Sequence, residues 1–179
     1  VVSIPASHLS ENVKDTVQSF ENVANAVLPI LAKTGCSINV EPGRSIIANS
    51  GVLVAQVLYT KANGKKNFII VDAGMSDLIR PSLYQAYHQI VPLSVLKDTV
   101  TKVVDVVGPI CETGDFLAHA RPLPIIDRRD FLAVMCTGAY GYVLASNYNL
   151  RTKAAEVMVN GDSYRVIRNR ELIEDISGA

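Results

Sequence analysis

The sequence predicts a mainly β chain with helical pieces: one βα fragment, then an antiparallel β domain of about six to eight strands. Three observations carry this. Apolar residues recur at helical spacing through the first third. Beyond residue 50, runs rich in β-branched and aliphatic residues take over. Two Asn-Gly pairs, Asn63-Gly64 and Asn160-Gly161, each separate two such runs, the strongest short-range hairpin signal.

Taken in order, Ser10 can cap a helix whose first turn carries Glu11. Val13, Val17, Phe20, Ala24, Val27, Leu28 and Leu31 form its apolar stripe. Pro29 is expected to kink or restart it, and Gly35 to end it. A short apolar strand over residues 37–40 runs straight into Glu41-Pro42-Gly43-Arg44. Residues 52–60 and 68–71 are the strands joined by the first Asn-Gly pair, and residues 155–159 and 164–167 those joined by the second. Residues 100–107 and 131–136 are further strands. Residues 81–88 read as a short helix with Pro81 in its first turn, and residues 170–176 as a terminal helix.

Composition bounds the function. A chain of 179 residues buries roughly 70% of its unfolded surface, so a true core forms. The apolar share of 49% and charged share of 19% exclude intrinsic disorder. Lys+Arg and Asp+Glu are both 17, so no net basic field gathers nucleic acid or an anionic membrane. No apolar run reaches the roughly 18 residues of a membrane span. The start, Val-Val-Ser-Ile-Pro, shows no signal-peptide pattern and reads as a chain entered mid-stream. Three scattered cysteines suit a reducing, cytoplasmic setting, and no Cys/His group has metal-ligand spacing.

Four segments hold residues capable of chemistry. Glu41-Pro42-Gly43-Arg44 follows a strand, with Gly43 free to let backbone approach a ligand and Arg44 offering a planar fork for phosphate or carboxylate. Taken alone it reads first as a strand-end turn with a solvated ion pair. In residues 72–84, Arg80 and Tyr84 are four apart and share one helical face, so they converge on one ligand group or pack as a surface Arg and a half-buried Tyr. Residues 108–115 carry Cys111, Glu112 and Asp115 on one Gly/Pro-bracketed loop, which is either an acid/base pair or a tight turn with an inert thiol. Glycines at 138 and 141 flank Tyr140, and Ser146-Asn147-Tyr148-Asn149 follows; this is an exposed phenol or a turn packed over an aromatic. Cys36 and Cys136 read as buried and inert. His8, His88 and His119 read as surface or capping histidines, Met75, Met135 and Met158 as core filler, and residues 127–130 as a solvated hairpin end.

In this order, EPGRSIIANSGVL, DAGMSDLIRPSLYQAYH, VVGPICETGD and GAYGYVLASNYN resemble the C-terminal half of the diaminopimelate decarboxylases, members of the fold-type III pyridoxal-phosphate enzymes that include ornithine decarboxylase and alanine racemase. The resemblance runs from about Val40 to Ile176. It implies a C-terminal antiparallel β-barrel or sandwich domain over residues 50–179, preceded over residues 1–49 by the last βα piece of a (β/α)8 barrel. It implies pyridoxal 5'-phosphate as cofactor, with Glu41 on the pyridine nitrogen and Pro42, Gly43 and Arg44 in the cofactor-binding stretch. The Arg44 side chain would meet a substrate carboxylate beside Arg80 and Tyr84. Cys111 would be the proton donor, Glu112 would bind the distal ammonium, and Tyr140 would touch both substrate and cofactor. It further implies a homodimer with shared active sites and a small amino-acid substrate. Other decarboxylases of this fold, acting on ornithine, arginine or carboxynorspermidine, and a non-catalytic regulatory relative are the competing expectations. The family's Schiff-base lysine and glycine-rich phosphate loop have no counterpart here: Lys14, Lys33, Lys61, Lys65 and Lys66 do not sit in that context, so the 179-residue chain alone is expected not to release CO2.

Overall fold

A computed structural model describes residues 20–41, 43–94 and 100–178. The expected helix start at Ser10, with Val13 and Val17, lies outside the described residues, as do His8 and Pro42. The chain divides between Gly43 and Arg44 into two compact units.

In the first unit, helix α1 (Phe20–Leu31) continues two residues past Pro29 and then tightens to a 3-10 turn, Ala32–Thr34. Gly35, at φ +68°, ends it as the sequence requires, since that conformation favours glycine. Residues 36–41 form no strand. A strand exists only against a hydrogen-bonded neighbour, and none among the described residues pairs with these; Ile38 and Val40 are exposed.

The second unit is built on a six-stranded sheet: β1 (Leu53–Asn63), β2 (Lys66–Val71), β3 (Ile90–Pro92), β4 (Thr101–Val107), β5 (Phe116–Pro124) and β6 (Phe131–Val134), in the order β3-β6-β1-β2-β4-β5. The long β1 serves two partners. Its first half pairs with β6, from Leu53↔Val134 to Gln56↔Phe131, and its second half pairs with β2 from Val57↔Val71, across a bulge before Tyr59, down to Asn63↔Lys66. Every pairing is antiparallel except β2–β4, which is parallel at Phe68↔Asp105. The long connection through residues 72–100 supplies the crossover a parallel pair needs, and it carries helix α2 (Arg80–Tyr84).

Alternation decides the buried face. Ala55 and Val57 point in, while Val54 and Gln56 do not. Val71, Leu78, Val106, Leu117, Leu132 and Val134 meet them at 1% exposure or less, each burial worth about 1.5–3 kcal/mol. Both hairpin signals are real, with Asn63 and Asn160 as the last strand residues. The two-residue loops are Gly64-Lys65 and Gly161-Asp162, with Gly64 at φ +59° and Gly161 at +57°. The second hairpin, β7 (Glu156–Asn160) with β8 (Ser163–Arg168), is a separate two-stranded sheet, followed by helix α3 (Ile173–Ser177).

Five further expectations need correction. α2 stops at Tyr84 rather than running to residue 88, because Gln85 turns left-handed at φ +52°. His88 is buried, not a surface residue: Nδ1 donates to the Met135 carbonyl at 2.9 Å. Met158 lies exposed on β7 rather than in the core, and Cys36 is exposed rather than buried. Cys136 is half-buried, its thiol donating to Asn49 Oδ1 at 3.1 Å.

Candidate active site

One buried carboxylate ties the second chemical segment to the third. Asp115 Oδ1 accepts from Met75 N–H and Oδ2 from Ile110 N–H, each at 2.6 Å. The loop closes on itself through Gly108 N–H to the Asp115 carbonyl at 3.0 Å. A side chain at either Gly74 or Gly108 would collide with this carboxylate, which is why both positions are glycine. Asp115 is therefore a structural staple, not an acid beside Cys111. On the neighbouring turn, Asp77 Oδ2 accepts from Gly74 N–H at 2.9 Å and faces Arg151 at 3.9 Å. Burial pushes the Asp77 carboxyl up, against the pull of that hydrogen bond and of Arg151.

The staple fixes where α2 lies. Ser82 Oγ sits 2.7 Å from where a Cβ on Gly114 would be, so the helix abuts the cysteine loop. α2 presents Arg80 as expected, its guanidinium 5.6 Å from the Tyr84 ring and 5.9 Å from the Tyr140 ring. Two such cation–π contacts hold the cation in place without consuming its in-plane donors. The second and fourth segments thus meet at Arg80.

Tyr140 is placed by close backbone packing. Gly138 N–H donates to the Ala48 carbonyl at 3.0 Å and Thr137 N–H to the Gly51 carbonyl at 2.9 Å. A Cβ on Gly138 would strike the Ile47 carbonyl, and one on Gly141 the Thr137 carbonyl. Tyr140 itself adopts φ +58°, a left-handed conformation that a bulky residue holds only when its surroundings dictate it. Arg44 is exposed, and together with Arg80 and Arg121 it bears electrostatically on His88. Burial first, then those three cations, push the His88 imidazole below its ordinary value despite the Met135 hydrogen bond.

Cys111 and Glu112 are exposed at the loop tip. Glu112 Oε1 accepts from Gly114 N–H at 3.2 Å, and Oε2 accepts from the Tyr148 hydroxyl at 3.3 Å. Tyr148 joins the third segment to the fourth. The sequence displayed it only as one letter of Ser146-Asn147-Tyr148-Asn149, since nothing in spacing pairs a residue with another 36 positions away. Glu41 and Gly43 belong to the first unit. Both are exposed, and Gly43 adopts φ +57° with nothing within 4 Å of its Cβ position, so a ligand has room against its backbone.

A family model of the pyridoxal-dependent decarboxylase C-terminal sheet domain matches residues 7–138. This chain belongs to that family. It is similar to the diaminopimelate decarboxylase of Aquifex aeolicus, 50% identical over 151 residues, which covers 84% of this chain and 36% of the relative. The diaminopimelate decarboxylase of Haemophilus influenzae is 47% identical over 154 residues, 86% of this chain and 37% of the relative. Among solved structures, the diaminopimelate decarboxylase of Helicobacter pylori complexed with L-lysine superposes with a TM-score of 0.77 at 43% identity, covering 89% of this chain and 39% of that one. The chain therefore spans little more than a third of the length of these relatives. The mainly β fold expected from the sequence is the C-terminal sheet domain of pyridoxal-dependent decarboxylases. No helix among the described residues is long and apolar enough to cross a membrane.

Proposed function

We propose that this chain is the C-terminal portion of a diaminopimelate decarboxylase, which converts meso-2,6-diaminopimelate to L-lysine and CO2, the last step of lysine biosynthesis, in the cytoplasm. The observation that carries this is the convergence of the segments around Arg80, Tyr140 and Glu112 in one unit, through the Asp115, Arg80–Tyr140 and Tyr148–Glu112 contacts. L-lysine in the Helicobacter pylori structure is the product this reading assigns.

The residues present fit pyridoxal 5'-phosphate. Glu41 supplies the carboxylate that keeps a pyridine nitrogen protonated, and the open left-handed backbone at Gly43 suits a phosphate, with Pro42 and Arg44 its neighbours in sequence. Tyr140 gives an aromatic face between cofactor and substrate. The cofactor, when bound, supplies an electron sink for the pair left on the α-carbon as CO2 departs. The chain's own residues do the rest. Arg44, Arg80 and Tyr84 bind the substrate's distal carboxylate through bidentate and hydroxyl hydrogen bonds, and Glu112 binds its distal ammonium. Cys111 donates its thiol proton to the α-carbon, replacing the broken C–C bond with C–H, and the thiolate is reprotonated from solvent. Ornithine and arginine lack a distal carboxylate, so arginines aimed there favour diaminopimelate. The cysteine loop serves the partner's site in a homodimer with shared active sites, and residues 1–49 are the closing piece of the cofactor barrel.

The test is a substrate panel on the full-length protein. Diaminopimelate is expected to be the preferred source of CO2, and Cys111→Ala to lower its turnover at least about 100-fold with the cofactor still bound. Preference for ornithine or arginine, or full activity in the Cys111 variant, overturns the assignment.

A further inference from the structure

We propose that Tyr148 is a positioning residue for the Glu112 carboxylate, fixing it for the substrate's distal ammonium. The inference rests on the reading of Glu112 given above and adds a residue to it. The geometry is specific. Glu112 stands on an exposed loop, where a carboxylate ordinarily samples several rotamers. Here one oxygen is held by a main-chain N–H, at Gly114, and the other by the Tyr148 hydroxyl at 3.3 Å. Each oxygen has a further lone pair able to accept, so two positions stay open for an ammonium whose direction is then set by the protein.

Tyr148 is itself held from several sides. Ser146 N–H donates to the Ser76 carbonyl at 2.9 Å, tying the segment to the turn that leads into α2. The Asn147 side chain donates to the Arg151 carbonyl at 3.0 Å and to the Glu171 carboxylate, which also accepts from Lys153 N–H at 2.9 Å. Beyond Tyr148, Asn149 and Leu150 both adopt left-handed backbone, at φ +54° and +55°. Two successive non-glycine residues in that region mark a turn dictated by its surroundings rather than by local preference. The adjacent Glu112 charge, then partial desolvation, the Glu112 hydrogen bond and nearby Cys111 keep the phenol above its usual titration range. It therefore remains a proton donor throughout the neutral range, which is what holding a carboxylate demands.

The experiment uses the full-length enzyme with Tyr148→Phe, Glu112→Gln and the double variant. 2-Aminopimelate, which lacks only the distal amino group, serves as competitive inhibitor. Tyr148→Phe is expected to raise KM for diaminopimelate about 10-fold, with kcat and the inhibition constant of 2-aminopimelate unchanged within about twofold. It is expected to add nothing in the Glu112→Gln background. Equal losses for both ligands, or penalties that multiply in the double variant, show a role in folding alone and overturn the proposal. A Glu112→Gln variant with wild-type KM overturns the ammonium assignment itself, and this inference with it, and is told apart from the other failures by that single variant.

Discussion

His88 shows how burial changes a residue's meaning. Nothing in the sequence sets it apart from His119, which lies exposed against Asp105 at 3.3 Å. Spacing to catalytic partners was the only signal available for a histidine, and it is silent about depth. In the fold, Nδ1–H donates to the Met135 carbonyl, leaving Nε2 as the bare acceptor, and burial beside Arg80, Arg44 and Arg121 disfavours the charged form of the ring. The consequence for stability has a definite sign. The folded value lies below the unfolded value of about 6.5, so the stabilisation is complete above that pH. It is lost as pH falls from there toward the folded value, by up to about 1.4 kcal/mol per pH unit, because the unfolded chain takes up the proton first. His88→Asn keeps a donor for Met135 and removes the titration. Urea midpoints at pH 7.5 and 5.5 are expected to separate in the wild type and to draw together in the variant; an unchanged separation would assign the pH dependence to another group.

At the scale of elements, the sequence made legible what local chemistry determines. β1, β2, β4, β6 and both hairpins follow from β-branched runs and glycine turns, and α1 ends at Gly35 as its conformation requires. The missed elements were β3 and β5. β5 carries Pro122 and Pro124, which argue against a strand, but it lies at the sheet edge, where no outer partner needs those N–H groups. β3 is a three-residue edge ending in Pro92. The parallel β2–β4 pairing was invisible because it depends on where a long crossover returns. In the candidate site, the sequence displays which segments carry groups capable of chemistry, whereas the long-range joints, Asp115 to Met75 and Tyr148 to Glu112, have no local signal. The Asp115 staple gives the sharpest test. Asp115→Ala strands one buried and one part-buried N–H group and removes two charge-assisted hydrogen bonds, at a cost of about 2–4 kcal/mol. Gly108→Ala, whose Cβ would press on the same carboxylate, is expected to weaken folding in the same direction. Chemical denaturation measures both; a shift under about 0.5 kcal/mol in each would show that the loops hold together without the staple.

For the whole molecule, exposed apolar surface is the dominant property. Val23, Val27, Leu28 and Ile30 lie bare on α1. On the second hairpin, Val157, Val159, Tyr164, Val166 and Ile167 are each about half exposed or more, so both of its strands offer apolar side chains to whatever meets them. Patches of this kind mark surfaces made to be covered. The purified 179-residue chain is expected to self-associate, with a light-scattering mass above that of a monomer that grows with concentration. A monomer mass held at high concentration would show that these side chains are tolerated by water.

The Asp115 carboxylate grips only main-chain N–H groups, so the stem it clamps is indifferent to which side chains crown the loops. Arg80 and Glu112 add joints of their own, to Tyr140 and to Tyr148, so altering either one also loosens a seam. Cys111 crowns the same stem without closing any such seam, which makes it the tip whose replacement disturbs the architecture beneath least.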